Sequence, residues 1–97
     1  MNRETLLGRL KDHSREIRER YGVKELFLFG SAARGEAVAS SDVDVLVDFE
    51  GRADFPRFMG LRFYLEDLLC LRVDLVTRKA LRPEMRETVQ KEAIHVA

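Results

Sequence analysis

The chain has 97 residues, and its 17 basic and 17 acidic side chains cancel; 45% of residues are hydrophobic and 35% charged. This is the balance of one globular domain spanning residues 1–97, with enough chain for a single core and too little to enclose a large ligand on all sides, and it excludes a disordered chain. A net charge of zero gives no field that would steer the protein to nucleic acid or to an anionic membrane, and no apolar run approaches the roughly 18 residues of a membrane span, so a cytoplasmic protein without direct nucleic-acid binding is expected.

In chain order, Leu6, Leu10, Ile17 and Tyr21 recur at helical spacing, and Gly22 is placed to end that helix in a left-handed conformation. The apolar run Leu26 to Phe29, stopped by Gly30, predicts a strand buried on both faces, and a short helix is expected to open at Gly30-Ser31 and continue through Ala32, Ala33 and Arg34. The segment DVDVLVDF, Asp42 to Phe49, reads as the second strand. From Phe55 to Leu69 the apolar positions return to helical spacing, and RVDLV, Arg72 to Val76, is a third strand. Cys70, the single cysteine, can form no internal disulfide and is expected to be a small buried hydrophobe. Pro83 suits the first turn of a last helix through about Glu92, and the closing AIHVA is too short to assign. Strands separated by helices predict an α/β domain, a small mixed sheet with helices packed on it.

The chemistry concentrates between Gly30 and Asp74. Asp42 and Asp44 are two apart, so on a strand both carboxylates leave one face, roughly 7 Å apart, while Val43, Val45 and Val47 point the other way. If RVDLV pairs beside this strand, Asp74 joins them across the ladder, at roughly 5 Å. Three converging carboxylates repel one another, and a divalent cation removes the conflict. Hard oxygen donors in a partly open set suit Mg²⁺ shared with substrate phosphates, in an arrangement of two ions, and with no His or Cys near them in sequence zinc has little support. The Gly30-Ser31 turn offers backbone N–H groups and a hydroxyl to a phosphate, and Arg34 could add charge-assisted hydrogen bonds. The expected reaction is attack of a hydroxyl on a phosphate, with Asp74 a candidate general base.

Gly30-Ser31, ten residues, Asp42-Val43-Asp44 and then Asp74 in a later strand resemble the minimal nucleotidyltransferase (MNT) domain of the DNA polymerase beta-like superfamily, over nearly the whole chain. The resemblance implies a nucleotidyltransferase fold that binds ATP with Mg²⁺ and transfers a nucleoside monophosphate to a hydroxyl. It makes Gly30 and Ser31 the phosphate-binding pair, Asp42, Asp44 and Asp74 the catalytic metal ligands, and Arg34 a frequent basic position. Stand-alone MNT proteins of this size are similar to antitoxins that adenylylate a tyrosine of a cognate HEPN ribonuclease toxin, which implies a hetero-oligomeric partner. Two alternatives stand beside this reading: an antitoxin that inhibits by binding alone, and a nucleotidyltransferase acting on a small molecule or an RNA end. Cys70 stands where similar proteins often carry a helix-ending glycine.

Other residues carry plainer expectations. Ser40, Ser41 and Asp42 are also good turn formers. Asp48, His13, His95, Arg78 and Lys79 read as solvated surface groups. Phe55, Phe58, Phe63 and Tyr64 exceed what one helical face needs, so an exposed subset could meet a partner, and Tyr64 as a self-modified residue has no support.

Overall fold

The computed structural model describes residues 2–36 and 42–97; the turn-forming Ser40 and Ser41 lie outside the described residues. Its elements are α1 (Arg3–Asp12), α2 (Ser14–Tyr21), β1 (Val23–Phe29), α3 (Gly30–Ala33), β2 (Val43–Phe49), α4 (Phe55–Leu69), β3 (Val73–Thr77), α5 (Pro83–Glu92) and β4 (Ile94–His95). The strands form one mixed sheet in the order β3-β2-β1-β4. β1 and β2 are antiparallel, as are β1 and β4, whereas β2 and β3 run parallel with α4 as the crossover. A parallel pair needs such a long connection, and fifteen helical residues supply it.

Period-two alternation divides the sheet into two unlike faces. Leu26, Leu28, Val43, Val45, Val47, Val73 and Leu75 point to one side, where Leu6, Leu10, Ile17, Leu61, Leu65 and Leu69 from α1, α2 and α4 close the main core. The other side carries a smaller cluster of Phe29, Leu46, Leu81 and Val89, covered by α5. Asp44 belongs to this second face, on the central strand, beyond the edge of that cluster.

Helix ends follow their local chemistry. Asn2 Oδ1 accepts from Thr5 N at 2.8 Å at the start of α1, and Asp54 Oδ1 accepts from Arg57 N at 2.9 Å at the start of α4. Gly22 ends α2 with φ 64°, as its position predicted.

Three expectations change. The first amphipathic segment is two helices, not one: His13 leaves helical geometry at φ −106°, ψ 10°, and its Nδ1 hydrogen-bonds the Arg9 carbonyl at 2.8 Å, a local bond that competes with the helix ladder. The unassigned tail forms β4, pairing Ile94 and His95 with Leu28 and Phe27. Cys70 is exposed rather than buried, because it occupies the left-handed cap of α4 at φ 56°, donating its N–H to the Glu66 carbonyl at 2.8 Å. On α4, Phe58 packs against the main core while Phe55 and Phe63 are exposed. Tyr64 packs on Tyr21 and donates its hydroxyl to Glu16 at 2.8 Å, on the sheet face opposite Asp44, so self-modification gains no support.

The left-handed cap gives a direct stability test. A non-glycine residue in this conformation costs about 1 kcal/mol, so Cys70→Gly is expected to raise the melting temperature by about 4–8 °C in a thermal unfolding scan.

Candidate active site at the Asp44–Asp74 rung

The site is assembled by register. Asp44 lies directly opposite Asp74 in the parallel β2–β3 ladder and opposite Phe29 in the antiparallel β1–β2 ladder. Its side chain therefore meets Asp74 on one flank and the chain leaving β1, at Gly30, on the other. Asp44 is half-buried, Asp74 and Asp42 are exposed, and Ser31 is half-buried in the first turn of α3. Desolvation raises the pKa of Asp44 above its ordinary value of 3.8, and the charges of Asp74 and Asp42 push it further in the same direction, partly offset by the positive charge of Arg34.

Gly30 serves this carboxylate. Its φ is 71°, and a Cβ built on it would land on Asp44 Oδ2. Gly30 was expected in the phosphate-binding pair; its close neighbour in the structure is the aspartate itself.

Along the open face the positions of β2 and β3 differ in charge. One residue before β2, Asp42 Oδ1 is ion-paired with Arg72 Nε at 3.3 Å; four residues along each strand beyond the Asp44–Asp74 pair, Asp48 meets Arg78 at 3.7 Å. Opposite charges across a ladder are stabilising and like charges are not, so the Asp44–Asp74 rung is the unfavourable one, with the Asp42–Arg72 pair before it and the apolar Leu46–Val76 rung after it. Asp48 is thus half-buried and ion-paired rather than freely solvated, and Arg78 also lies over the Phe27 ring, 5.5 Å from its centroid.

Arg34 is committed to two carboxylates. Its Nε donates to Glu36 at 3.0 Å and its Nη1 to Glu92 at 2.7 Å, contacts that raise its pKa further. The expectation of a guanidinium presented alone to a phosphate is therefore modified: Arg34 stands beside the site with its fork turned to α5. Among the described residues, no three acidic, histidine or cysteine side chains close into a ready-made metal cage. Asp42, Asp44 and Asp74 interact electrostatically, but Asp42 is bonded to Arg72. The donor chemistry nevertheless fits a hard divalent ion: two facing carboxylates, one of them resisting ionisation, leave coordination positions for phosphate oxygens and water.

A profile described as the nucleotidyltransferase domain matches residues 10–96. The chain belongs to the nucleotidyltransferase domain family. It is 49% identical over 87 residues to the protein adenylyltransferase MntA of Thermococcus cleftensis, covering 90% of this chain and 88% of the relative. A solved structure described as a minimal nucleotidyltransferase superimposes with a TM-score of 0.82 at 41% identity, over 97% of this chain and 95% of the other. At 17% identity the fold alone is shared with the MNT antitoxin in complex with a tri-AMPylated HEPN toxin of Shewanella oneidensis, with a TM-score of 0.67 over 94% and 71% of the two chains.

Two side chains of this nucleotidyltransferase domain that the sequence did not single out shape the site. Arg72 was within reach of the same reasoning, since it lies two residues before Asp74 and so shares its face. Glu92 had no such signal, being 58 residues from the arginine it holds.

Two outcomes follow for the site. Replacing Gly30 by Ala forces a left-handed backbone and a collision with Asp44, so Gly30→Ala is expected to lose more than about 1 kcal/mol in denaturant titration. The raised pKa of Asp44 contributes stability below the ordinary carboxylate value, and that contribution is lost as pH rises through the folded-state value. In metal-free buffer Asp44→Asn is therefore expected to melt above the wild type at pH 7, with the gap narrowing at pH 4; a gap that widens on acidification contradicts the crowding of Asp44 by Asp74.

Proposed function

We propose that the protein is an Mg²⁺-dependent protein adenylyltransferase that moves AMP from ATP to a hydroxyl, a tyrosine of a cognate HEPN ribonuclease toxin, and thereby neutralises that toxin in the cytoplasm. The observation that carries this reading is the like-charged Asp44–Asp74 rung beside the Gly30-Ser31 turn. It is supported by the MntA relative of Thermococcus cleftensis and by the shared fold of the antitoxin bound to a tri-AMPylated toxin.

In this reading Asp42, Asp44 and Asp74 would hold two Mg²⁺ ions with the nucleotide, and the ions supply neutralisation of the triphosphate charge and acidification of the acceptor hydroxyl. The chain's own residues do the rest. Backbone N–H groups of the Gly30-Ser31 turn and the Ser31 hydroxyl hold the phosphates in line with the acceptor. Asp74, exposed at the sheet edge, is the base that takes the proton of the acceptor hydroxyl. The acceptor oxygen bonds to the α-phosphorus, the bond to the bridging oxygen of the β-phosphate breaks, and pyrophosphate leaves. Arg34, released by Glu36 or Glu92, is the remaining cation for the phosphates. Asp42 and Asp74 are open to solvent, and in this reading the partner supplies the wall that excludes water.

The test is incubation with ATP labelled on the α-phosphate, Mg²⁺ and the co-purifying partner. Wild type is expected to label the partner, and Asp42→Asn with Asp44→Asn to lower the rate at least about 100-fold, the scale of losing transition-state charge stabilisation. Equal labelling by both proteins overturns the enzymatic reading.

A further inference from the structure

The Arg72–Asp42 pair has features that an ordinary surface ion pair lacks. Its partners are brought together by the sheet rather than by chance rotamers: Val43 N donates to the Arg72 carbonyl at 2.8 Å, which extends the β2–β3 register by one residue beyond its first rung, Val43 with Val73. The next rung on the same face is Asp44 with Asp74. Arg72 thus stands at the edge of an acidic site, beside the one of its three carboxylates nearest the chain entering β2. The bond itself is slight. It is a single contact from Nε at 3.3 Å, not a two-point fork, and the side chains are 77% and 52% exposed. Pairs of this kind are worth about 0.2–1 kcal/mol. A doubly charged ion attracts the same carboxylate with twice the charge product, so the arginine yields readily.

We propose that Arg72 is a placeholder for the divalent ion at Asp42: its guanidinium neutralises and positions that carboxylate until an ion takes over. Arg72 is a positioning residue acting through Asp42. The inference rests on the proposed metal-dependent reading of the site and adds a competition to it. Without Arg72, three carboxylates would meet with no counter-charge on the β3 side; with it, Asp42 is drawn off the Asp44–Asp74 rung, and its release is part of ion binding. Arg34 does not hold Asp42 in this way, since its contacts are with Glu36 and Glu92. Nor does Arg78, which answers Asp48 six residues further along the strands.

The experiment measures binding of Mn²⁺ alone to the full chain, counting free ion by electron paramagnetic resonance, for wild type, Arg72→Ala, Arg72→Gln, Asp42→Asn and the Arg72→Ala, Asp42→Asn double variant. Circular dichroism checks that each is folded; both Arg72 substitutions fall at an exposed side chain. Arg72→Ala and Arg72→Gln are expected to bind Mn²⁺ about two- to five-fold more tightly than wild type, the equivalent of releasing an exposed ion pair. In the Asp42→Asn background, Arg72→Ala is expected to change nothing, because the competition runs through that carboxylate. Equal affinity of wild type and both Arg72 variants overturns the inference while leaving the metal site standing. Tightening that persists without Asp42 overturns it too, in favour of a general field effect. Absence of Mn²⁺ binding by wild type overturns both this inference and the metal-dependent reading beneath it.

Discussion

The carboxylates of Asp44 and Asp74 face each other across two parallel strands, an arrangement that is unfavourable on its own and that the rest of the fold enforces. Parallel pairing of β2 and β3 is possible because α4 crosses between them, and α4 is anchored by Leu61, Leu65 and Leu69 in the main core. The valines on the reverse side of β2, all buried, fix which way its aspartates point, since slipping the register by one residue would exchange the two sets. Core packing on one face thus holds like charges together on the other.

Charge around the rung is graded. Asp42 with Arg72 and Asp48 with Arg78 are compensated along the strands, and Arg34 with Glu36 and Glu92 is compensated at the helical side. A net charge of zero for the chain therefore conceals a local arrangement in which one pair of carboxylates is left facing without a cation between them. Asp74, the outer member of that pair, is exposed, so the rung is open to solvent.

Much of this was legible from the chain because strands obey a period of two. DVDVLVDF states by itself that its aspartates and its valines leave opposite faces, and the recurrence of the pattern in RVDLV places Asp74 beside them once parallel pairing is assumed. The same period puts Arg72 on the face of Asp74. What stayed hidden depends on contacts that periodicity does not encode. The break at His13 comes from one side-chain bond to the Arg9 carbonyl, and β4 consists of two residues whose pairing with β1 is purely tertiary. Cys70 is exposed although its neighbours in sequence are apolar, because it takes the left-handed cap of α4, the position at which similar proteins often carry glycine. Arg34 looked free in sequence because Glu92 comes to it only when α5 folds back across the sheet.

The central claim is that Asp44 and Asp74 share a divalent ion with a nucleotide held at the Gly30-Ser31 turn. Crystals grown with Mn²⁺ and a non-hydrolysable ATP analogue test it most directly, through the anomalous scattering of manganese. The account predicts an anomalous peak between the carboxylates of Asp44 and Asp74 that also touches a phosphate oxygen. Nucleotide bound with no peak at that rung, or seated on the opposite face of the sheet, would contradict it.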